Sequence, residues 1–202
     1  MLQEKGLYFM YKLCKSEQSA QRQRQLEEGL LRVMNVTSFE DITISDLCQQ
    51  LGIPRKSFYR YFSSKDGALH ALIDHTLMEY EQFNAARPAD SRSLNRDLET
   101  YFLFWLEKKP FLDALAKNGI NGMLFERSLR YVSTETVLPS RLLDGEAQRM
   151  RQHVISFTIC GLMTMMLQWY ADGYKETPAE MAAIAARLIT MPLFPDIGSF
   201  LK

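Results

Sequence analysis

The sequence predicts an all-α protein of about nine helices, and three observations lead there. Apolar residues recur at helical spacing through nearly every segment, as Leu26, Leu30 and Val33 do at i, i+4 and i+7. Gly52, Gly119 and Gly173 stand as stop signals, while Pro54 and Pro178 stand where helices begin. No stretch shows the two-residue alternation or the turn pair of a strand or hairpin.

Each element follows from its own signals. "SAQRQRQLEEGLLRVM" predicts an amphipathic helix over 18–34. Thr43 and Asp46 form a T-x-x-D capping pair that opens a short helix over 43–51, and Gly52 ends it. Pro54 is expected at the first position of the next helix, which carries Phe58, Tyr59 and Phe62 and ends near Tyr61. Ser63 and Asp66 repeat the capping pattern ahead of a helix over 64–85, with Leu69, Leu72, Ile73 and Leu77 on one side. "ARPADSRS" (86–93) is polar, holds a proline and marks a break. Further helices are expected near 94–108, 110–118, 120–133, 146–172 and 177–191, the last opened by Thr177, Pro178 and Glu180. "TETVLPSRLLDG" reads as a loop or a poorly formed helix.

Composition narrows the function classes. Of 202 residues 47% are hydrophobic, ample for a buried core and against bulk disorder. No apolar run approaches the roughly 18 residues of a membrane span, and the first residues lack the leader and cleavage site of a signal peptide. Cys14, Cys48 and Cys160 are widely spaced, which suits reduced thiols in a cytosol. Asp66, His70 and Asp74 share a helix face, but three ligands in a row make a poor metal site, so surface ion pairing is expected and no metal or cofactor. The chain contains no Ser/His/Asp arrangement, no HExxH, no paired Glu-x-x-His and no glycine-rich phosphate loop, so no enzyme is read.

Formal net charge is zero, yet residues 1–65 hold ten Lys/Arg against seven Asp/Glu. The stretch "PRKSFYRYFSSK" (54–65) concentrates that excess, with Arg55, Lys56, Arg60 and Lys65 and no acid. A cation at a helix start opposes the helix dipole at a cost of about 0.3–1 kcal/mol. The same charge set against phosphate acts with the dipole. A longer helix, a short one, a glycine turn and a second short one is the layout of a helix-turn-helix, whose second helix enters the DNA major groove by its first residues. Here those are Pro54, Arg55, Lys56 and Ser57.

"ITISDLCQQLGIPRKSFYRYFSSKDGALHALI" (42–73) resembles the DNA-binding core of TetR-family transcriptional regulators. The likeness lies in the Thr start, Asp46-Leu47-Cys48, Leu51-Gly52-Ile53, Tyr59, Phe62 and Ser64-Lys65-Asp66, and it covers about 18–75. It implies an N-terminal extension (1–17), a helix-turn-helix head (18–66, motif at 43–62) and a helical body (67–202) for ligand binding and dimerisation. By position it implies that Thr43 and Ser45 touch phosphate or an adjacent base, and that Arg55 is the guanine contact. It implies further that the hydroxyls of Tyr59 and Tyr61 reach phosphates or bases and that Lys65 holds a phosphate. Phe58, Phe62, Leu47, Leu51 and Ile53 are assigned to the head's core, with Cys48 as a small buried hydrophobe. Pro54 stands where the family often has serine, Lys56 where glycine is frequent, and Gly67 weakens the first turn of the fourth helix. Arg60 is left without a role.

Residues 153–191 resemble the last two helices of many members, which form a dimeric four-helix bundle, so a homodimer through about 146–191 is expected. Aromatics at 101–111 and 123–131 read first as core. A pocket built there would take walls from Phe102, Trp105, Phe125 and Met166 and polar contacts from Asn121, Glu126 and Arg130. The expected protein is a cytoplasmic, nucleoid-associated bacterial regulator, a dimeric repressor on a two-fold DNA operator, answering to a small-molecule effector. The alternative is a helical small-molecule-binding or interaction protein that no longer reads DNA.

Overall fold

The computed structural model of the chain describes residues 10–86, 93–132 and 145–190, and among these it holds nine α-helices and no strand. In order they are α1 (Glu17–Met34), α2 (Ile44–Gln50), α3 (Arg55–Tyr59), α4 (Lys65–Ala85), α5 (Leu94–Glu107), α6 (Lys109–Lys117), α7 (Asn121–Val132), α8 (Gly145–Ala171) and α9 (Pro178–Thr190). Every helix expected from periodicity is present. The stretch 134–144, expected as loop or poor helix, lies outside the described residues.

The caps explain most boundaries. Thr43 Oγ1 accepts from Asp46 N–H at 3.1 Å, as expected. Thr177 and Glu180 form a reciprocal box at the start of α9: Thr177 N–H donates to Glu180 Oε2 at 2.7 Å, and Glu180 N–H donates to Thr177 Oγ1 at 3.3 Å. Two expectations shift by one residue. Pro54 is the N-cap of α3 rather than its first helical residue, with ψ at 143°. Ser64, not Ser63, caps α4, its Oγ accepting from Gly67 N–H at 3.0 Å. Ser63 is turned to the N-terminal segment instead, donating from Oγ to the Met10 carbonyl at 3.0 Å.

The described residues form two compact units, 10–79 with 110–131, and 80–86 with 93–109, 132 and 145–190. In the first, Leu30, Met34, Leu47, Phe58, Phe62, Leu69 and Ile73 are all but fully buried together with Leu112 and Leu115 of α6. Burying one side chain of this size contributes about 1.5–3 kcal/mol. Asn118, just past α6, ties that helix to the α1–α2 connection. Its Oδ1 accepts from Phe39 N–H at 2.5 Å and its Nδ2 donates to the Met34 carbonyl at 3.3 Å.

The same unit buries ionic groups. Arg127 of α7 donates to both oxygens of Asp74 on α4, a pair that is nearly buried rather than the surface ion pairing expected at this face. Tyr11 donates to Asp74 Oδ2 at 2.5 Å, and Arg127 Nη1 donates to His70 Nδ1 at 2.9 Å. Glu27, 1% exposed, is held by His75 Nδ1 at 2.9 Å and by Arg24 at 3.4 Å. Each buried carboxylate thus has partners, without which its desolvation would be costly.

In the second unit α5 packs against α9, and Phe102, Trp105, Met166 and Trp169 are buried. Phe102 meets Trp169 edge to face at 5.5 Å, and Trp169 Nε1 donates to the Glu176 carbonyl at 2.9 Å. Within α8, His153–Ala171 has the length and composition of a membrane-crossing helix, with mean hydropathy 1.4. The expectation of no such stretch rests on the lack of an uninterrupted apolar run. Here the apolar residues are interspersed with Ser156, Thr158, Thr164 and Gln168. Met163, Met166 and Trp169 serve the unit's own core.

Candidate nucleic-acid interface

The motif is built around one turn. At the end of α2, Gly52 N–H donates to the Gln49 carbonyl at 3.1 Å and Ile53 N–H to the Cys48 carbonyl at 2.9 Å, with Gly52 at φ 63°. This is the Schellman pattern, and its left-handed residue is where glycine has no Cβ penalty. It turns the chain sharply so that α3 starts three residues later. Leu47 and Cys48 face inward from α2 and Phe58 from α3. Burial pushes the Cys48 thiol's pKa up, in keeping with a small buried hydrophobe.

With Phe58 anchored, the opposite side of α3 is presented outward. Pro54, Arg55 and Lys56 are exposed and Ser57 is half-buried. Pro54 supplies no side-chain cap, and the first turn of α3 holds no acid. Among the described residues none of Arg55, Lys56 and Arg60 forms an ion pair. Tyr59 is 48% exposed, and its hydroxyl accepts from Arg55 Nη2 at 3.5 Å while the guanidinium lies 5.9 Å from the ring centroid. Thr43 and Ser45 are exposed at the start of α2. The Thr43 hydroxyl is engaged by its own cap, donating to Asp46 Oδ2 at 2.6 Å.

Two residues expected as outward contacts are turned to other uses. Tyr61 is only 5% exposed and packed beside Phe62, and its carbonyl accepts from Lys12 N–H of the N-terminal segment at 2.8 Å. Lys65 is half-buried and its Nζ donates to the carbonyls of Phe39 at 2.5 Å and Glu40 at 3.1 Å, above the Phe39 ring. Its charge caps the α1–α2 connection from the edge of the first unit.

The residues expected to line a pocket are divided between the two units. Phe102, Trp105 and Met166 are buried core of the second unit. Asn121, Phe125, Glu126 and Arg130 belong to the first, where Glu126 and Arg130 pair along the exposed side of α7. A cavity of about 380 Å³ there takes Glu126 and Arg130 with His70, Met123 and Arg127, without Asn121 or Phe125.

Sequence reasoning gives the N-terminal segment no part in the head, yet residues 10–12 pack on it. The one sequence signal for that contact is Gly67, a glycine inside a helix. It is no mere weakness of the first turn, because a Cβ there would meet the Met10 backbone.

A family profile described as "Bacterial regulatory proteins, tetR family" matches residues 28–72, spanning the motif, and one described as "Transcriptional regulator C-terminal region" matches 96–191. The HTH-type transcriptional regulator EthR of Mycolicibacterium smegmatis is 33% identical over 76 residues, which is 35% of this chain and 35% of that protein. The match therefore spans about a third of that relative's length. Among solved structures, the fatty acid degradation regulator FadR from Bacillus halodurans superposes with a TM-score of 0.58 at 11% identity, over 90% of this chain and 98% of that one. The dihydroxyacetone kinase operon activator DhaS gives 0.56 at 12% identity, over 83% and 93%. A tetR-family transcriptional regulator from Streptomyces coelicolor gives 0.54 at 19% identity, over 84% and 79%. At these identities the structures establish a shared fold.

Proposed function

The chain belongs to the TetR family of transcriptional regulators, and from that premise we propose that it is a dimeric, effector-responsive repressor whose α2–turn–α3 pair reads one half of a two-fold DNA operator. The observation that carries this reading is the start of α3. Arg55 and Lys56 stand exposed at the positive end of a helix with no acid paired to them, while Phe58 behind them is fully buried. Within the chain that placement is unfavourable, and a phosphate backbone reverses its sign. Arg55 is the base-reading residue, through its fork of donors; Lys56 adds charge beside it.

Dimerisation is supported by α8 and α9. Phe157 is 79% exposed, Val154 47%, Ile184 45% and Ile189 44%, and the two helices border an apolar groove of about 650 Å³. A contiguous apolar surface of this kind is suited to a second copy, and a two-fold dimer presents two heads to a two-fold site. Effector binding would act as a population shift, moving α4 and with it the spacing of the heads. The protein is assigned to the cytoplasm, on the nucleoid, and no catalytic role is proposed for it.

Fluorescence anisotropy on DNA from upstream of the protein's own gene tests the reading. Binding should be selective and weaken steeply with salt. Arg55→Ala should cost about 1–3 kcal/mol on the preferred fragment and flatten the preference among fragments, whereas Lys56→Ala should weaken all duplexes alike. A folded dimer that binds no such fragment in a salt-sensitive way would sink it and leave a helical ligand-binding protein.

A further inference from the structure

Residues 10–15 form part of the head's outer surface. Their backbone runs antiparallel to residues 61–63: Lys12 N–H donates to the Tyr61 carbonyl at 2.8 Å, and Ser63 N–H donates to the Met10 carbonyl at 3.2 Å. Neighbouring side chains on such an extended segment point to opposite sides. Tyr11 is turned inward, 6% exposed and bonded to Asp74, and Lys12 is accordingly turned outward and exposed, as is Lys15.

This segment and the end of α3 border an open groove of about 590 Å³. Its charged residues are Lys12, Lys15 and Arg60, and no carboxylate lines it. None of the three cations has an ion-pair partner among the described residues. Three like charges sharing one groove repel one another and attract an anion with several charges in a row. Tyr59 joins the groove to the exposed side of α3, since it lines the one and carries Arg55 on its hydroxyl in the other.

We infer that this groove binds the phosphate backbone of duplex DNA flanking the bases read by α3, with Lys12, Lys15 and Arg60 as its phosphate contacts. The inference rests on the DNA-binding reading above and extends the footprint beyond the helix-turn-helix. A phosphodiester backbone suits the groove because it offers charges in series, continuous with the adjacent base-reading surface. No base specificity is assigned to it, since phosphate contacts position a protein without reading sequence.

The test measures the intact protein's affinity by anisotropy over a range of salt, for the upstream fragment and for a short duplex of arbitrary sequence. Replacing all three cations with glutamine (K12Q/K15Q/R60Q) should make the slope of log affinity against log salt shallower by about 0.9 for each phosphate no longer neutralised, up to about 2.7 in all. The ratio of affinities for the two duplexes should stay the same, because Arg55 is untouched. The charge-preserving pair K12R/K15R should keep the wild-type slope. An unchanged slope in a triple variant that melts like the wild type, while Lys56→Gln still lowers it, overturns the inference. So does a lowered slope in K12R/K15R equal to that of the glutamine variant, which would assign the effect to the segment's shape. If the wild type binds neither duplex, the DNA-binding reading itself falls and this one with it, so the two failures are told apart by the wild type alone.

Discussion

A Cβ placed on Gly67 would lie 2.1 Å from the Met10 carbonyl oxygen, so the backbone at residue 10 rests directly on the first turn of α4. That carbonyl is held there by Ser63, from N–H at 3.2 Å and from Oγ at 3.0 Å. In an open helix, Gly→Ala stabilises by about 1 kcal/mol. Here the neighbour is backbone and cannot swing aside, so the sign reverses. Gly67→Ala should lower stability by about 1–3 kcal/mol, the usual cost of overpacking. Urea unfolding should show a lower midpoint, with residues 10–15 more readily cut by protease. A higher midpoint would mean that the segment does not sit on Gly67.

His70 makes stability depend on pH in a defined direction. Its Nδ1 accepts from Arg127 Nη1, and a guanidinium can only donate, so the ring is held neutral with its proton on Nε2. Burial first, and then the Arg127 charge, lower its pKa below the ordinary 6.5, against the upward pull of Asp74, Asp66 and Glu126. With the folded value depressed, the unfolded chain takes up the proton first as pH falls. The stability that the neutral ring contributes is therefore complete above about pH 6.5 and lost as pH drops toward the folded value. His70→Asn, whose amide oxygen can accept from Arg127, should flatten this part of a plot of melting temperature against pH. A plot as steep as the wild type's would assign the acid sensitivity to other groups.

Phe157 tests the proposed dimer. At 79% exposed it contributes almost nothing to its own unit's core, so Phe157→Glu in a monomer should change folding stability by no more than about 0.5 kcal/mol. Across a two-fold apolar interface the same change buries two carboxylates without partners. Light scattering coupled to gel filtration should then report a monomer mass with unchanged helical circular dichroism. A persistent dimer would place the interface elsewhere.

Much of the head is legible in the sequence because it is local. The capping bond of Thr43 runs three residues along the chain, as that of Thr177 does in the second unit, and the turn at Gly52 closes within five. The outward placement of Arg55 and Lys56 follows from burying Phe58 on a helix of known period. Periodicity also says that Phe102, Trp105 and Met166 face an apolar interior. It does not say whether that interior is filled by side chains or open to a ligand, and around these three it is filled.

What the tertiary structure decided depends on partners far along the chain. Lys65 finds the Phe39 carbonyl 26 residues away, Asp74 finds Arg127 at a separation of 53, and Phe39 finds Asn118 at 79. An exposed-looking lysine caps two backbone carbonyls, a carboxylate expected at the surface becomes the centre of a buried ion pair, and residues 110–131 join the N-terminal helices. Tyr61 is buried next to a backbone pairing with a segment that shows no helical period at all. The sequence by itself determined where helices start and stop and which side of each is apolar, because those properties are set by neighbours within a turn or two. Which polar groups face solvent was decided only by the tertiary fold, because a side chain's exposure depends on what else comes to lie over it.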